Sequence, residues 1–499
     1  MPSPIAYCLL PIANLKSFPR LGKQVDKNIS SPAPVGWVES APMKRDTLKK
    51  LAAIVGAEHL ITTAEGLLCY SYDGSGLEYP PEAVIFPGNT GEVSAIMQLA
   101  TAKDFPVVPR GAGTGMTGGA LPVAGGVVMA MSRCNRILEI DTANQVAVAE
   151  PGVITGDFQR EVARLGLFYP PDPASHQFCT LGGNVAECAG GPRAVKYGVT
   201  RDYILGLTAV LADGRIIHTG VRTAKGVAGY DLTRLLVGSE GTLAIITSIT
   251  VRLLPQPAAR ATFQLLFSEL PAATTLVSRL LNRMTPCTLE LMDRTALQIV
   301  ADQLPAPLPT GTAALLLIEL DGDREVVELQ AERLGDFLAN QEGLLEVRRA
   351  ATGPEAEQLW AARRAISPAT FKLKPHKIGE DVVVPRSKIP ELVAFTESLA
   401  AKHELIILSF GHAGDGNLHV NIMLDRKIPR EIEAAETATG ELFAQVIALG
   451  GTITGEHGVG LTKSTFLGQE IDGPTLEIMR AVKKTFDPQN ILNPGKIFT

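Results

Sequence analysis

A glycine-rich loop followed by helix-breaking residues is the feature that most limits what this chain can fold into. Residues 105–120 contain the end of a short predicted strand and then a loop with many glycines. In this loop Gly113, Gly115 and Gly118 spell GxGxxG. In a doubly wound dinucleotide-binding unit that loop must open an α-helix. Here it is followed by four residues that a helix interior tolerates poorly, namely Gly119, Pro122, Gly125 and Gly126. The sequence therefore predicts a second strand, Gly126–Met131, and argues against the doubly wound fold.

A loop of this kind between two strands brings many backbone N–H groups close to one place. That arrangement suits the pyrophosphate of a dinucleotide. The alternative is a glycine loop with a purely structural role. Turn signals and apolar strands then continue to about Leu254, which indicates a β-rich first half.

Length and composition narrow the class of protein. A chain of 499 residues exceeds what one hydrophobic core supports, so two or three domains are expected. A net charge of -6 disfavours nucleic-acid binding, and no apolar run approaches the roughly 18 residues of a transmembrane helix. The six cysteines form no CxxC pair, which argues against a zinc ribbon or an iron-sulfur cluster and fits reduced thiols in the cytoplasm.

Two stretches near the C-terminal end, Gly411–Asn421 and Gly455–Gly460, hold three of the eight histidines. The first reads as a strand, a Gly/Asp/Asn turn and a returning strand. In such a hairpin His412 ends one strand and His419 lies near the start of the next, so both rings can converge on one point.

Glu456 offers a carboxylate as a third ligand beside these two imidazoles. Three protein ligands leave positions open for a substrate, so the pattern predicts a divalent-metal site. His457 follows directly and is suited to moving a proton, because its ordinary pKa is near neutrality. The alternative for each histidine is a hydrogen-bonded core residue.

The first 45 residues are rich in Pro and Ser, and residues 1–25 contain no acid. Because prolines interrupt any amphipathic helix, we expect a disordered tail, with a targeting segment as the alternative. A helix-like pattern over Asp46–Val55 marks the start of the folded chain.

Eight short motifs occur along the chain in an order that identifies a family. They are Pro109–Gly115, Pro171–Pro173, Leu181–Asn184, Lys196–Gly198, Gly238–Leu243, Gly411–His419, Gly455–Gly460 and Asn493–Ile497. With them the chain resembles the FAD-linked 2-hydroxyacid dehydrogenases of the vanillyl-alcohol oxidase type. Within that family it is most similar to the flavin-binding subunits of glycolate oxidase or glycolate dehydrogenase, with D-lactate dehydrogenases as close relatives.

The resemblance implies an α+β fold with a two-subdomain FAD-binding domain and a smaller αβ domain that caps the substrate. We expect a tail over residues 1–45, the FAD-binding domain over 46–255 and the cap over 256–403. Residues 404–499 are expected to carry the metal hairpin, at the edge of the cap, and a segment that returns to the FAD domain.

The same resemblance assigns the cofactor-binding positions. Those expected around the FAD pyrophosphate are Arg110, Gly111, Ala112, Gly113, Thr114, Gly115, Thr117 and Gly118. Those expected around the ribityl chain, the ring system and the adenine are Pro171, Asp172, Thr180, Gly183, Asn184, Glu240, Gly241, Ile245 and Asn493. Because the glycine loop has no His for covalent attachment, the FAD is expected to dissociate.

The resemblance also gives roles to the C-terminal motifs. His412, His419 and Glu456 match the family's ligands for zinc or manganese, and His457 matches its catalytic base. Oxidising a 2-hydroxy acid needs a hydride acceptor, which a flavin supplies, and a group that takes the hydroxyl proton. Arg363 matches the family's WxxR segment and is the candidate for binding the substrate carboxylate; a helix-surface arginine is the alternative.

The expected substrate is a small 2-hydroxy acid such as glycolate or D-lactate. Relatives acting on 2-hydroxyglutarate carry a lysine where this chain has Gly379, and the nearest lysine is Lys377. Electrons are expected to leave to an iron-sulfur partner subunit or a quinone, with peripheral membrane association through a partner, or a homodimer, left open. Three alternatives remain: a D-2-hydroxyglutarate dehydrogenase, a metal-dependent hydrolase and a catalytically silent nucleotide-binding subunit.

Overall fold

The computed structural model describes residues 43–498, so almost all of the predicted tail lies outside the described residues. The first helix, α1, spans Arg45–Val55. Its buried residues Thr47, Leu51 and Val55 recur every fourth position and therefore form one stripe. The helix predicted over Asp46–Val55 is confirmed to within one residue.

A four-stranded sheet carries the glycine loop. Its strands, in spatial order β1-β2-β4-β3, are β1 Leu60–Ile61, β2 Ala83–Ile85, β4 Val127–Ala130 and β3 Val107–Arg110. The last three strands are parallel, and β1 is antiparallel. The helices of this region are α1, α2 Ala64–Leu68 and α3 Thr90–Lys103. The glycine loop connects β3 to β4, so a strand follows it, as predicted.

A five-stranded antiparallel sheet forms the second layer, in the order β5-β6-β10-β8-β9. The strands are β5 Ile137–Asp141, β6 Val146–Ala149, β8 Ile204–Val210, β9 Ile216–Gly220 and β10 Ile245–Arg252. The helices are α4 Thr155–Arg164, α5 Leu181–Glu187, α6 Ala194–Tyr197 and α7 Leu232–Leu236. A two-stranded ribbon, β7 Leu167–Phe168 with β11 Leu254–Pro255, closes this part.

A seven-stranded antiparallel sheet follows, in the order β15-β12-β14-β13-β17-β18-β16. Its strands are β12 Ala259–Phe267, β13 Thr288–Asp293, β14 Ala314–Gly322, β15 Leu344–Arg349, β16 His376–Val383, β17 Ile406–His412 and β18 Asn417–Leu424. The predicted hairpin is therefore confirmed. The expectation that it lies at the edge is wrong, since β16 forms the edge and β17 and β18 lie inside the sheet. The predicted boundary at residue 403 divides strands that pair in this one sheet.

Helices cover both faces of this sheet. One face packs on α8 Leu270–Leu281, α10 Arg324–Leu338, α12 Ile389–His403 and α13 Pro429–Ala448. The other packs on α9 Arg294–Ile299 and α11 Gly353–Ala369. In residues 43–498, no helix combines the length and apolar character needed to cross a bilayer.

The C-terminal segment runs back to the first half of the chain through α14 Leu467–Glu470 and α15 Gly473–Phe486. Ile491 and Leu492 are buried in the same core as the four-stranded sheet. The N–H of Val107 donates to Ile491 O at 2.9 Å, and the N–H of Asn493 donates to Val107 O at 2.9 Å. Residues near the end of the chain thus extend the sheet that carries the glycine loop.

Candidate active site

A cavity of about 1650 Å³ lies between the glycine loop and one face of the seven-stranded sheet. Most of the predicted site residues line it. They are Arg110, Gly111, Ala112, Gly113, Thr114, Gly115, Asp172, Thr180, Gly183, Asn184, Glu240, Gly241, Ile245, Arg363, His412, His419, Glu456 and His457. Since sites for one small ligand usually measure about 300–1,000 Å³, this cavity has room for a dinucleotide and a substrate together.

Four predicted cofactor residues do not line the cavity but support its wall. Thr117 Oγ1 donates to His457 O at 3.1 Å, and Gly118 has a φ of +83° beside Leu461. Pro171 O accepts from the Gln159 side chain. The fourth, Asn493, was expected to approach the flavin ring.

The side chain of Asn493 is instead used within the protein. It is 1% exposed, and Nδ2 donates to Gly119 O and Glu240 O, both at 2.8 Å. The side chain of Asn493 thus supports the glycine loop, and its expected approach to the flavin ring stays a prediction.

The glycine loop has a backbone that a ligand can approach closely. Gly113 adopts a φ of +71°, which disfavours other residues. At Gly115 a Cβ atom would meet nothing nearer than Glu187 Oε1, at 4.0 Å. The start of the loop is held in place by a hydrogen bond, in which Arg110 Nη2 donates to Tyr72 O at 2.8 Å. A wide cavity walled by bare backbone fits the pyrophosphate of FAD.

Buried carboxyl groups lie under this loop. Glu240 accepts the N–H groups of Val459 and Gly460 at 2.8 and 2.7 Å, so both of its oxygens are used inside the protein. Glu187 lines the cavity, and its Oε2 is buried without a hydrogen-bond partner. Burial, reinforced by the charge of Glu240, raises the pKa of Glu187 well above its usual range. Sequence reasoning missed Glu187.

His412, His419 and Glu456 converge as the hairpin predicted. One ligand atom from each lies within 4.8 Å of the others. The Nε2 atoms of His412 and His419 are 3.4 and 3.5 Å from Glu456 Oε1. Ligand atoms of a tetrahedral zinc ion, about 2.0–2.1 Å from the metal, are separated by roughly 3.3 Å. Two imidazoles and one carboxylate at this spacing could hold a divalent metal.

The surroundings shift the pKa values of the two imidazoles in opposite directions. Burial opposes the charged ring of His412, but the carboxylates of Glu290 and Glu456 outweigh it and raise the pKa of His412 well above its usual range. Burial, then the charge of His412, lower the pKa of His419 well below its usual range. The neutral form that coordination requires is thus favoured at His419 and disfavoured at His412.

Glu290 on β13 is a site residue that sequence reasoning missed. Its Oε1 lies 2.6 Å from His412 Nδ1, and its Oε2 accepts from Arg363 Nε at 2.7 Å. Burial works against the ionised carboxyl, but the charges of His412 and Arg363 outweigh it and lower the pKa of Glu290 to about 2. The one signal in the sequence was a lone acid inside the apolar run Leu289–Met292.

Arg363 lies on α11 and faces the cavity, so the helix-surface alternative is wrong. It is 7% exposed, and its guanidinium lies over the Phe410 ring at 4.8 Å. Nη2 is 2.6 Å from Glu290 Oε2, so this charge already has one carboxylate partner.

Asp381 on β16 organises the loop that carries His457. Its Oδ2 accepts the N–H groups of Gly455, Glu456 and His457 at 2.8, 2.6 and 3.1 Å. Its Oδ1 accepts from Lys463 Nζ at 2.5 Å and lies 3.5 Å from His457 Nδ1. The His457 ring stacks on His419, with centroids 5.4 Å apart. This loop therefore places a histidine beside the metal-site residues.

A second cation lines the cavity near these residues. Lys377 Nζ donates to Ser367 Oγ at 2.8 Å, and burial lowers the pKa of Lys377 to about 8. Its Cε lies 4.0 Å from where a Cβ of Gly379 would be. Among the ion pairs of residues 43–498, none involves Lys377.

Two family models match most of the chain. The model described as "FAD linked oxidases, C-terminal domain" matches residues 256–497, and the one described as "FAD binding domain" matches residues 81–220.

Curated relatives cover nearly the whole length. The chain is 45% identical to the glycolate oxidase subunit GlcD of Bacillus subtilis, over 91% of this chain and 97% of that protein. It is 36% identical to a D-lactate dehydrogenase of Anaerostipes hadrus, over 84% of this chain and 89% of that protein. Both proteins belong to the group that the eight motifs indicated.

A solved structure of p-cresol methylhydroxylase with substrate bound superposes with a TM-score of 0.76 at 20% identity, over 91% of this chain and 96% of that one. At this identity the likeness establishes the fold alone. The fold class expected from the sequence is confirmed.

Proposed function

Because this chain belongs to the FAD-linked oxidases, we propose that it oxidises a small 2-hydroxy acid, glycolate or D-lactate, to the 2-oxo acid. The observation that supports this most is the position of His457 beside the three convergent residues His412, His419 and Glu456, on the wall of the same cavity as the glycine loop. A cofactor site and a proton-handling site thus share one space.

Bound FAD supplies the hydride acceptor that no side chain can provide. The residues proposed to hold it are the cavity-lining glycine loop and the wall formed by Asp172, Thr180, Gly183 and Asn184. Arg363 and Lys377 give the substrate region positive charge, which suits a carboxylate. We propose that Arg363 orients the substrate through that carboxylate, with Phe410 and Glu290 holding the guanidinium in place.

His457 is the proposed base for the hydroxyl proton. Its Nδ1 is turned toward Asp381 Oδ1, so Nε2 is the atom left to face the substrate. An ionised carboxylate near Nδ1 stabilises the imidazolium that forms when Nε2 takes a proton. The residues His412, His419 and Glu456 would hold a zinc or manganese ion, whose chemistry is to lower the pKa of a coordinated hydroxyl.

The final electron acceptor is proposed to lie outside this chain. The sequence has no CxxC pair for a cluster, and the Bacillus subtilis relative is named as a subunit. A partner with iron-sulfur clusters is therefore proposed over a quinone, and a cytoplasmic location, peripheral to the membrane through that partner, follows from it. Full quinone reduction by the chain purified alone would count against the partner.

The colour of the purified protein tests the proposal. A yellow protein that glycolate or D-lactate bleaches anaerobically supports the dehydrogenase. A yellow protein that no hydroxy acid bleaches fits the catalytically silent alternative. The hydrolase alternative is set aside, because both matched family models describe FAD proteins.

His457→Ala tests the base. We expect the variant to keep its flavin absorbance and to be bleached at least 100-fold more slowly, since general-base catalysis contributes about 10²–10⁴-fold. Anaerobic stopped-flow reduction measures this rate, and Gln489→Ala, at an exposed turn, is the control. Undiminished bleaching would remove His457 from the role.

Lys377 favours D-2-hydroxyglutarate as a second candidate substrate. Its side chain reaches over Gly379, where relatives acting on that acid carry their lysine, and it has no carboxylate partner among the described ion pairs. Comparing kcat/KM for glycolate, D-lactate and D-2-hydroxyglutarate decides between a small monocarboxylate and this dicarboxylate.

A further inference from the structure

Glu290 touches two residues of the proposed site at once. It is fully buried, at 0% exposure, near the middle of the seven-stranded sheet. One oxygen faces His412 Nδ1 at 2.6 Å, and the other receives Arg363 Nε and Nη2 at 2.7 and 2.6 Å. The two partners lie 122 and 73 residues away in sequence.

The sheet register explains why one carboxylate reaches both. Strands β13 and β17 pair Leu291 with Gly411, so the next position of the ladder sets Glu290 beside His412 on the same face. Helix α11 crosses that face and brings Arg363 over Phe410, two residues before His412 on β17. Strand pairing fixes one contact, and helix packing fixes the other.

The direction of the His412 contact matters for coordination. With Nδ1 facing a carboxylate, the proton of the neutral ring belongs on Nδ1, which leaves the Nε2 lone pair free toward Glu456 and the metal position. Arg363 uses Nε and Nη2 for its contact with Glu290. The rest of the guanidinium is left for an incoming carboxylate.

We propose that Glu290 is a positioning residue that serves both halves of the substrate site, orienting His412 for a divalent metal and Arg363 for the substrate carboxylate. The inference rests on the proposed function. It predicts that one substitution weakens two separable properties, metal affinity and substrate KM, while the cofactor stays bound.

The test compares E290Q and E290A with E319Q in the full-length flavoprotein. Glu319 is the matched control, since it is a 5% exposed acid on the neighbouring strand β14. Glu319 also lines the cavity, but its contacts are with Thr262, Trp360 and Arg260 and not with His412 or Arg363. Zn²⁺ affinity is measured by chelator competition, FAD content by absorbance, and kcat and KM with glycolate or D-lactate.

We expect E290Q to bind Zn²⁺ about 10- to 100-fold more weakly and to show a raised KM with full FAD content. The glutamine of E290Q keeps one oxygen that can accept from one partner, whereas the alanine of E290A keeps none. E290A is therefore expected to lose more Zn²⁺ affinity than E290Q and to show a larger rise in KM. E319Q keeps wild-type Zn²⁺ affinity. The proposal is overturned if E290Q matches wild type in both properties, or if E319Q loses as much Zn²⁺ affinity as E290Q.

A measurement on the wild type covers the case in which E290A does not fold. In the Zn²⁺-loaded protein, ¹⁵N-histidine spectra should show His412 protonated on Nδ1 and coordinating through Nε2; coordination through Nδ1 would overturn the proposal. Failure of the proposed function looks different. It would leave the wild type unbleached by every hydroxy acid while E290Q still weakened Zn²⁺ binding.

Discussion

At the scale of single residues, buried charges define this site more than apolar packing does. Glu290, Asp381 and Lys463 are at most 1% exposed, yet each has an oppositely charged neighbour. Burying a charge is unfavourable unless it is paired, so these groups stay ionised only because their partners are fixed. Lys377 differs from these three groups, because it lines the cavity and donates to a serine.

Lys377 should therefore make stability depend on pH. Its pKa is about 8 in the folded protein, below the ordinary 10.5. Between these values the unfolded chain holds a proton that the folded chain has lost, so stability rises with pH across this window. Below pH 8 the buried cation costs stability, and we expect Lys377→Met to be more stable than wild type there.

Urea unfolding of the FAD-free protein from pH 7 to 10.5 measures this difference. The advantage of Lys377→Met should shrink steadily as the pH rises. Lys402→Met, at an exposed ion pair on α12, is the control and should show no such trend. A constant difference across the window would contradict the prediction.

At the scale of elements, side chains alternate between the two faces of a strand, and this alternation places several site residues on one face of the seven-stranded sheet. On β16 the alternate residues Lys377, Gly379 and Asp381 face the cavity side, and β18 places Asn421 and His419 beside the last two. Toward the other end of the same face, Leu315, Leu317 and Met292 pack on α9 and α11. One sheet face is thus a core at one end and an active-site wall at the other.

Asp381→Asn should destabilise the element that carries His457. The change leaves Lys463, 1% exposed, without its nearest carboxylate and weakens three hydrogen bonds from the 455–457 backbone. Breaking a buried ion pair costs about 3–5 kcal/mol. Urea unfolding measures the loss, and the double variant Asp381→Asn with Lys463→Met should recover part of it. A loss below about 1 kcal/mol would contradict the ion-pair argument.

The sequence predicted the features that depend on neighbouring residues and missed those that depend on residues far apart in the chain. The hairpin at His412 and the strand after the glycine loop depend on neighbouring residues, and both were predicted. Glu290 could not be assigned, because its partners are 73 and 122 residues away and depend on strand order. The position of the hairpin inside the sheet was missed for the same reason.

At the scale of the whole molecule, the site depends on the first half of the chain meeting the seven-stranded sheet and the segment that follows it. The glycine loop lies on one side of the cavity and the seven-stranded sheet on the other. The segment after His457 links them, since Gly460 bonds to Glu240 and Leu461 to Thr117. Relative movement of the two halves would therefore change the cofactor and substrate sites together.

Stopping the chain after Asp487 should abolish FAD binding. The truncation removes the backbone partners of Val107 and the Asn493 amide that holds Gly119. Flavin absorbance after gel filtration measures retention. Leu492→Ala, which removes buried atoms and keeps the backbone bonds, should retain FAD while losing about 2–5 kcal/mol of stability. A truncated chain with wild-type FAD content would contradict this.

The return of the last residues to β3 has a consequence for biosynthesis. A ribosome that has translated the glycine loop and both sheets of the first half has not yet made Ile491 to Asn493, which complete the layer beneath that loop. The seven-stranded sheet can form during elongation, since domains fold as their residues emerge. Capture of the flavin must wait until Ile491 to Asn493 have emerged from the ribosome, so newly made chains pass through an interval as colourless protein whose length depends on the supply of free FAD.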